Sequence, residues 1–97
     1  MRVYVALDAA ALARLDAGEP AQGERFVAAS EDEQDEFDAL ETAAEHGRVV
    51  AVAEVDAEDD PVTLAEVEAL HVDADGSGDL AWYATQEIGA VLDLLRR

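Results

Sequence analysis

Apolar and polar positions alternate in the opening residues of this chain and then change period, and those changes mark its elements. Val3 and Val5 alternate with Tyr4 and Ala6, which predicts a strand over Arg2–Leu7. Asp8 is placed to cap a helix running to Ala17, with Gly18 as its stop. A loop containing Pro20 follows, and a short strand is expected at Arg25–Ala29 around Phe26 and Val27. Ser30-Glu31-Asp32-Glu33 reads as a capping box that opens a second helix, closed by His46 and Gly47. Within that helix Phe37, Leu40 and Ala44 stand at i, i+3 and i+7 and read as its core stripe. Asp35, Asp38, Glu41 and Glu45 are expected on the opposite side.

The second half is more apolar. Arg48–Asp56 carries the run Val49-Val50-Ala51-Val52-Ala53, continuous rather than alternating, as an interior strand covered on both faces requires. After an acidic loop, Ala57–Pro61, Thr63 is placed to cap one helical turn, Leu64–Val67. Ala69–Asp73 reads as a strand with Leu70 and Val72 on one face and His71 on the other. A Gly-rich turn, Asp73–Asp79, leads to a strand at Leu80–Ala84. Thr85 then caps a final helix in which Ile88, Val91, Leu92 and Leu95 fall at i, i+3, i+4 and i+7. Arg96 and Arg97 sit at its negative end. The order β-α-β-α-β-β-β-α over residues 1–97 predicts a single α+β domain: one mixed sheet of about five strands with two to three helices packed on it.

Charge changes the picture most. Twenty-four Asp and Glu stand against six Arg, with no Lys, for a formal net charge of −18. Such a surface repels itself and is relieved by salt, whose Debye length is roughly 3 Å at 1 M. The composition predicts an acidic protein of a salt-adapted, halophilic cytoplasm. The sign disfavours direct contact with nucleic acid or an anionic membrane. The chain has no run of roughly 18 apolar residues that would span a bilayer. With no cysteine, disulfides, thiolate metal sites and Cys nucleophiles are excluded.

Candidate chemistry is sparse. Asp73-Ala74-Asp75-Gly76-Ser77-Gly78-Asp79 places oxygens at positions 1, 3, 5 and 7 and Gly at 6, as a calcium loop does. Position 12, which a bidentate Glu should fill, is Ala84, and Glu87 lies three residues too far. The string therefore predicts a polar turn with weak cation association at Asp73, Asp75, Ser77 and Asp79. His71 and Asp73 share a strand face, the start of a general-base pair, but no activated nucleophile accompanies them. The chain reads as a non-enzyme without a cofactor. Trp82 and Tyr83 are adjacent and so point to opposite faces of the sheet. One of the two, with Leu94 of the last helix, is expected to form a protein or self-association interface. The acidic helix face, Asp35, Asp38, Glu41 and Glu45, carries a rival reading, a nucleic-acid mimic that engages a basic nucleic-acid-binding protein. A third reading is a small ligand-binding protein or enzyme using His71 and nearby carboxylates.

Segments along most of the chain resemble a small uncharacterised cytoplasmic family of high-GC bacteria, chiefly actinobacteria. They are Met1-Arg2-Val3-Tyr4-Val5, the acidic helix leading into Arg48-Val49-Val50-Ala51-Val52-Ala53, Leu64-Ala65-Glu66-Val67 with His71-Val72-Asp73, and Leu80-Ala81-Trp82-Tyr83-Ala84-Thr85-Gln86-Glu87-Ile88. Members of that family tend to be longer, with insertions where this chain has short acidic loops. The resemblance implies one compact cytoplasmic domain and no particular activity. The resulting expectation is an interaction or regulatory protein.

Overall fold

The computed structural model describes residues 1–96; Arg97, expected beside Arg96 at the last helix end, lies outside them. Five strands form one sheet: β1 (Arg2–Leu7), β2 (Arg25–Phe26), β3 (Val49–Glu54), β4 (Val67–Val72) and β5 (Ala81–Ala84). Their spatial order is β2-β1-β3-β4-β5. Where the sequence predicted a mixed sheet, every pairing is antiparallel. The helices are α1 (Ala9–Asp16), α2 (Glu33–Ala44) and α3 (Ile88–Leu95), with 3₁₀ turns at Leu64–Glu66 and Thr85–Glu87. This is the α+β architecture that the order of elements predicts.

The two faces of the sheet are covered unequally. Val3, Val5 and Leu7 of β1, Val49, Ala51 and Ala53 of β3, and Leu70 and Val72 of β4 form one core with Leu12 and Leu15 of α1 and Ile88, Val91 and Leu92 of α3. A register shift at Val52/Ala53 pairs Ala53 with Val67 and leaves Glu68 as the extra residue, so Val67 returns to this core. On the other face α2 packs over β1, β2 and β3. There Tyr4, Val50 and Val52 meet Ala39 and Ala43. Small alanines let the helix sit close to the sheet, and Arg2 pins it by pairing with Glu36 at 2.5 Å.

The local signals work as their chemistry dictates, with instructive exceptions. Asp8 accepts from the Ala11 N–H at 2.7 Å and caps α1, and Gly18 leaves that helix at φ +98°. At the 3₁₀ turn the Glu66 carboxylate accepts from both the N–H and the hydroxyl of Thr63, at 2.8 and 2.7 Å, and the Glu66 N–H donates to the Thr63 carbonyl. Ser30 does not cap α2: its hydroxyl accepts from the Asp32 N–H and donates to Asp35, and the helix opens at Glu33 with Asp32 as its N-cap. Thr85 does not cap α3 either. Its hydroxyl donates to the Val67 carbonyl at 2.8 Å, tying the 3₁₀ turn to β4. β2 has two residues, Arg25–Phe26, and just before it the chain passes close over β1: a Cβ on Gly23 would lie 1.9 Å from the Ala6 carbonyl oxygen.

Candidate functional site

One cross-strand row exposes the asymmetry. Ala6, Val50, His71 and Trp82 are successive partners from β1 to β5. Ala6 and Val50 are buried, the latter against α2, His71 is half-buried, and Trp82 is 61% exposed. The row on the other face, Val5, Ala51, Leu70 and Tyr83, stays covered out to a half-buried Tyr83. Of the adjacent aromatic pair, Tyr83 thus serves the core and Trp82 is the exposed ring.

Between α2 and the uncovered part of β4 and β5 lies an open groove of about 710 Å³. Phe37, Leu40 and Ala44 line its helix side, and His71, Leu80 and Trp82 its sheet side. Glu41 and Glu45 border it along α2, and Asp73 and Asp79 close one end. Phe37 is 52% exposed, which corrects its assignment to the core stripe. The helix is rotated so that Ala39 and Ala43 face the sheet, leaving Phe37 beside the groove and Leu40 and Ala44 half-buried at its edge. Among the described residues the large exposed apolar side chains are Trp82, Phe37, Met1 and Val27; the first two share this groove.

Met1 and Val27 line a second hollow, of about 610 Å³, with Arg2, Tyr4 and Glu36. Its polar groups already have partners. Arg2 pairs with Glu36 and with Glu68 at 3.6 Å, and the Tyr4 hydroxyl donates to Glu36 at 3.3 Å. This hydrogen-bonded pairing holds the Arg2 guanidinium pKa above its usual value, and burial raises that of Tyr4. The cluster fastens α2 to the sheet.

The structure separates several residues that the sequence grouped. Asp35 and Asp38 line a shallow hollow on the β2 flank of α2, whereas Glu41 and Glu45 border the groove on its other flank. Asp35 accepts from Ser30 and Asp38 from Gln34. Leu94 is half-buried on α3, which packs on the face of the sheet opposite Trp82. The Asp73 and Asp75 carboxylates turn inward on their own loop. Asp73 accepts from the N–H groups of Gly76 and Gly78, and Asp75 from that of Ser77; hydrogen bonding by Ser77, its side chain first and its N–H second, lowers the Asp75 pKa from its ordinary value. Gly76 and Gly78 take φ +79° and +90° to permit this. Among the described residues no three His, Asp or Glu side chains are arranged to hold a metal ion.

His71 and Asp73 do reach the same concavity, as their spacing predicts, but the Asp73 carboxylate is engaged by the loop. Burial lowers the His71 pKa from its ordinary value. The unfolded chain therefore binds a proton more readily than the folded one, so this residue's contribution to stability is present above the ordinary histidine pKa. It is lost as pH falls through that value toward the lower folded pKa. His71→Gln is expected to flatten the decline in stability between about pH 7 and pH 5, measured by urea denaturation against the parent chain. An unchanged decline assigns it to other groups.

Fold and site define a small α+β domain with one apolar, acid-rimmed groove. No family model, curated protein or solved structure matches the chain. No helix among the described residues is long and apolar enough to cross a membrane.

Proposed function

We propose that this protein is a small non-enzymatic interaction module of a salt-rich cytoplasm, and that the groove between α2 and β4–β5 receives a segment of another protein. The observation that carries this reading is the convergence of Trp82 and Phe37, both more than half exposed, on one concavity. Exposed aromatic rings cost solvation in isolation and recover it at the centre of an interface. Concentrated salt weakens charge steering, so recognition there depends on such apolar anchors. Charge alone would also suit a decoy for a nucleic-acid-binding protein, but a phosphate mimic has no use for two open rings. The likeness to the high-GC bacterial family belongs to the same proposal and brings no activity with it.

The test is photo-cross-linking in the producing cell. A benzophenone amino acid replacing Phe37 is expected to give a discrete heterologous adduct that is lost when Trp82→Ser is added. The same group at Arg14, on the exposed side of α1, is expected to give none. Equal adducts from both positions, or none from position 37, overturn the groove as the recognition surface.

A further inference from the structure

A five-stranded sheet is about 19 Å across between its outer strand axes, and a helix with its side chains is about 10 Å wide. Two helices therefore cover one face. The core face has two, α1 and α3. The opposite face has α2 alone, displaced over β2, β1 and β3, and the uncovered strip over β4 and β5 is one helix wide. Building on the groove reading, we propose that its occupant is a positively charged amphipathic helix of a second protein, which lies alongside α2 and completes this outer layer.

Charge and shape select that occupant over others. The lining offers Phe37 from the helix side and His71, Leu80 and Trp82 from the sheet side, which suit an apolar stripe at i, i+3, i+4 and i+7. The borders offer Glu41 and Glu45 along α2 and Asp79 beside Leu80, which suit Lys or Arg flanking that stripe. No Lys or Arg lines the groove among the described residues. A second copy of this chain is a poor fit, because each copy carries −18 and α2 itself brings Glu33, Asp35 and Glu36 in its first turn. A strand added at the sheet edge is also a poor fit. The edge strand β5 has four residues, and the N–H of Ala84 is already held by the Glu87 carboxylate at 2.9 Å. The helix α2, 12 residues long, is about 18 Å from end to end, and a partner helix of similar length matches it.

Trp82 is the chain's sole tryptophan, so its emission reports on the groove directly. The probe is a synthetic tryptophan-free helical peptide with a leucine stripe flanked by lysines, titrated into the folded protein in moderate salt. Two comparators have the same charge: a scrambled peptide without the stripe, and a peptide with a central proline that forbids the helix. The stripe peptide is expected to shift Trp82 emission to the blue, saturably, and to gain helical circular dichroism on binding. Both comparators are expected to bind at least about tenfold more weakly, a difference of about 1.4 kcal/mol. The double change Glu41→Gln with Glu45→Gln, at exposed positions, is expected to weaken the stripe peptide severalfold without altering the far-ultraviolet spectrum. Equal binding of all three peptides overturns the helix and leaves a groove that takes any cationic segment. No shift of Trp82 by the stripe peptide, with the Phe37 cross-link intact, overturns the basic helix and leaves another protein segment as occupant. Loss of the cross-link is the separate failure of the groove itself.

Discussion

Leu70→Ala is expected to cost about 2–5 kcal/mol of folding stability, while Phe37→Ala costs under about 1 kcal/mol. Leu70 lies on β4 with no exposed surface, inside the core shared by α1, α3 and the sheet. Removing its side chain leaves a cavity that the surrounding strands cannot close, since β3 holds β4 from one side and β5 from the other. Phe37 is half in solvent already. A domain of this length has only about 5–15 kcal/mol in total, so the first change approaches the threshold of unfolding and the second leaves it intact. Urea denaturation resolves the two: the midpoint should fall sharply for Leu70→Ala and barely for Phe37→Ala, with similar slopes. Equal losses would place Phe37 in the core and close the groove. The contrast also separates stability from recognition, because Phe37→Ala should remove an anchor of the groove while sparing the fold.

Those two residues also show what was legible in the chain. The apolar run Val49–Ala53 identified the central strand because both of its faces are buried, which no amphipathic element imitates. The stripe of α3 was legible because its large residues, Ile88, Val91 and Leu92, are the ones that enter the core. In α2 the same rule picked an arc that is right only in part: Leu40 and Ala44 pack against the core, and Phe37 does not. Helical periodicity weights large apolar residues, and Phe37 with Leu40 outweighed Ala39 and Ala43 on that measure. Close packing against Tyr4 and Val50 needed small residues instead, and the sheet selected them. The groove was hidden for the same reason, since its aromatic lining had been assigned to the core on one side. Alternation alone sets His71 opposite Leu70 and Trp82 opposite Tyr83, but does not put His71 and Trp82 on one face. That they are neighbours across β4 and β5 depends on strand register, which a local pattern does not encode. Thr85 and Ser30 were misassigned because a hydroxyl beside a helix start is equally suited to a nearby carbonyl or a turn.

Thermal stability is expected to rise by about 10 °C or more between dilute buffer and molar KCl, the shift produced by a gain of about 2 kcal/mol in a domain of this size. The structure shows why the charge is uncompensated. Arg2 pairs with Glu36 and Glu68, the Met1 amine with Glu54, and Arg96 weakly with Asp93 at 3.9 Å. Two other arginines neutralise no carboxylate directly. Arg25 donates to the backbone carbonyls of Glu58 and Asp60, and Arg48 to those of Asp73 and Ala74. They fasten the two acidic loops to the sheet through backbone carbonyls and neutralise none of the carboxylates there. Most of the 24 acids thus lack a cation of the protein's own, and their mutual repulsion falls on the folded state, where they are held closest. Potassium chloride screens that repulsion within a few ångströms. Specific ion binding would give a different signature: sodium, potassium and magnesium salts would differ at equal ionic strength, and changing Asp73 and Asp75 to Asn would remove the difference. Screening predicts near-equality of the monovalent salts, with removal of any one exposed carboxylate raising the dilute-buffer midpoint slightly. A melting temperature flat across the salt range would show that the acids are tolerated without screening, and would remove the salt-rich setting from the proposed function while leaving the groove, which rests on Trp82 and Phe37, in place.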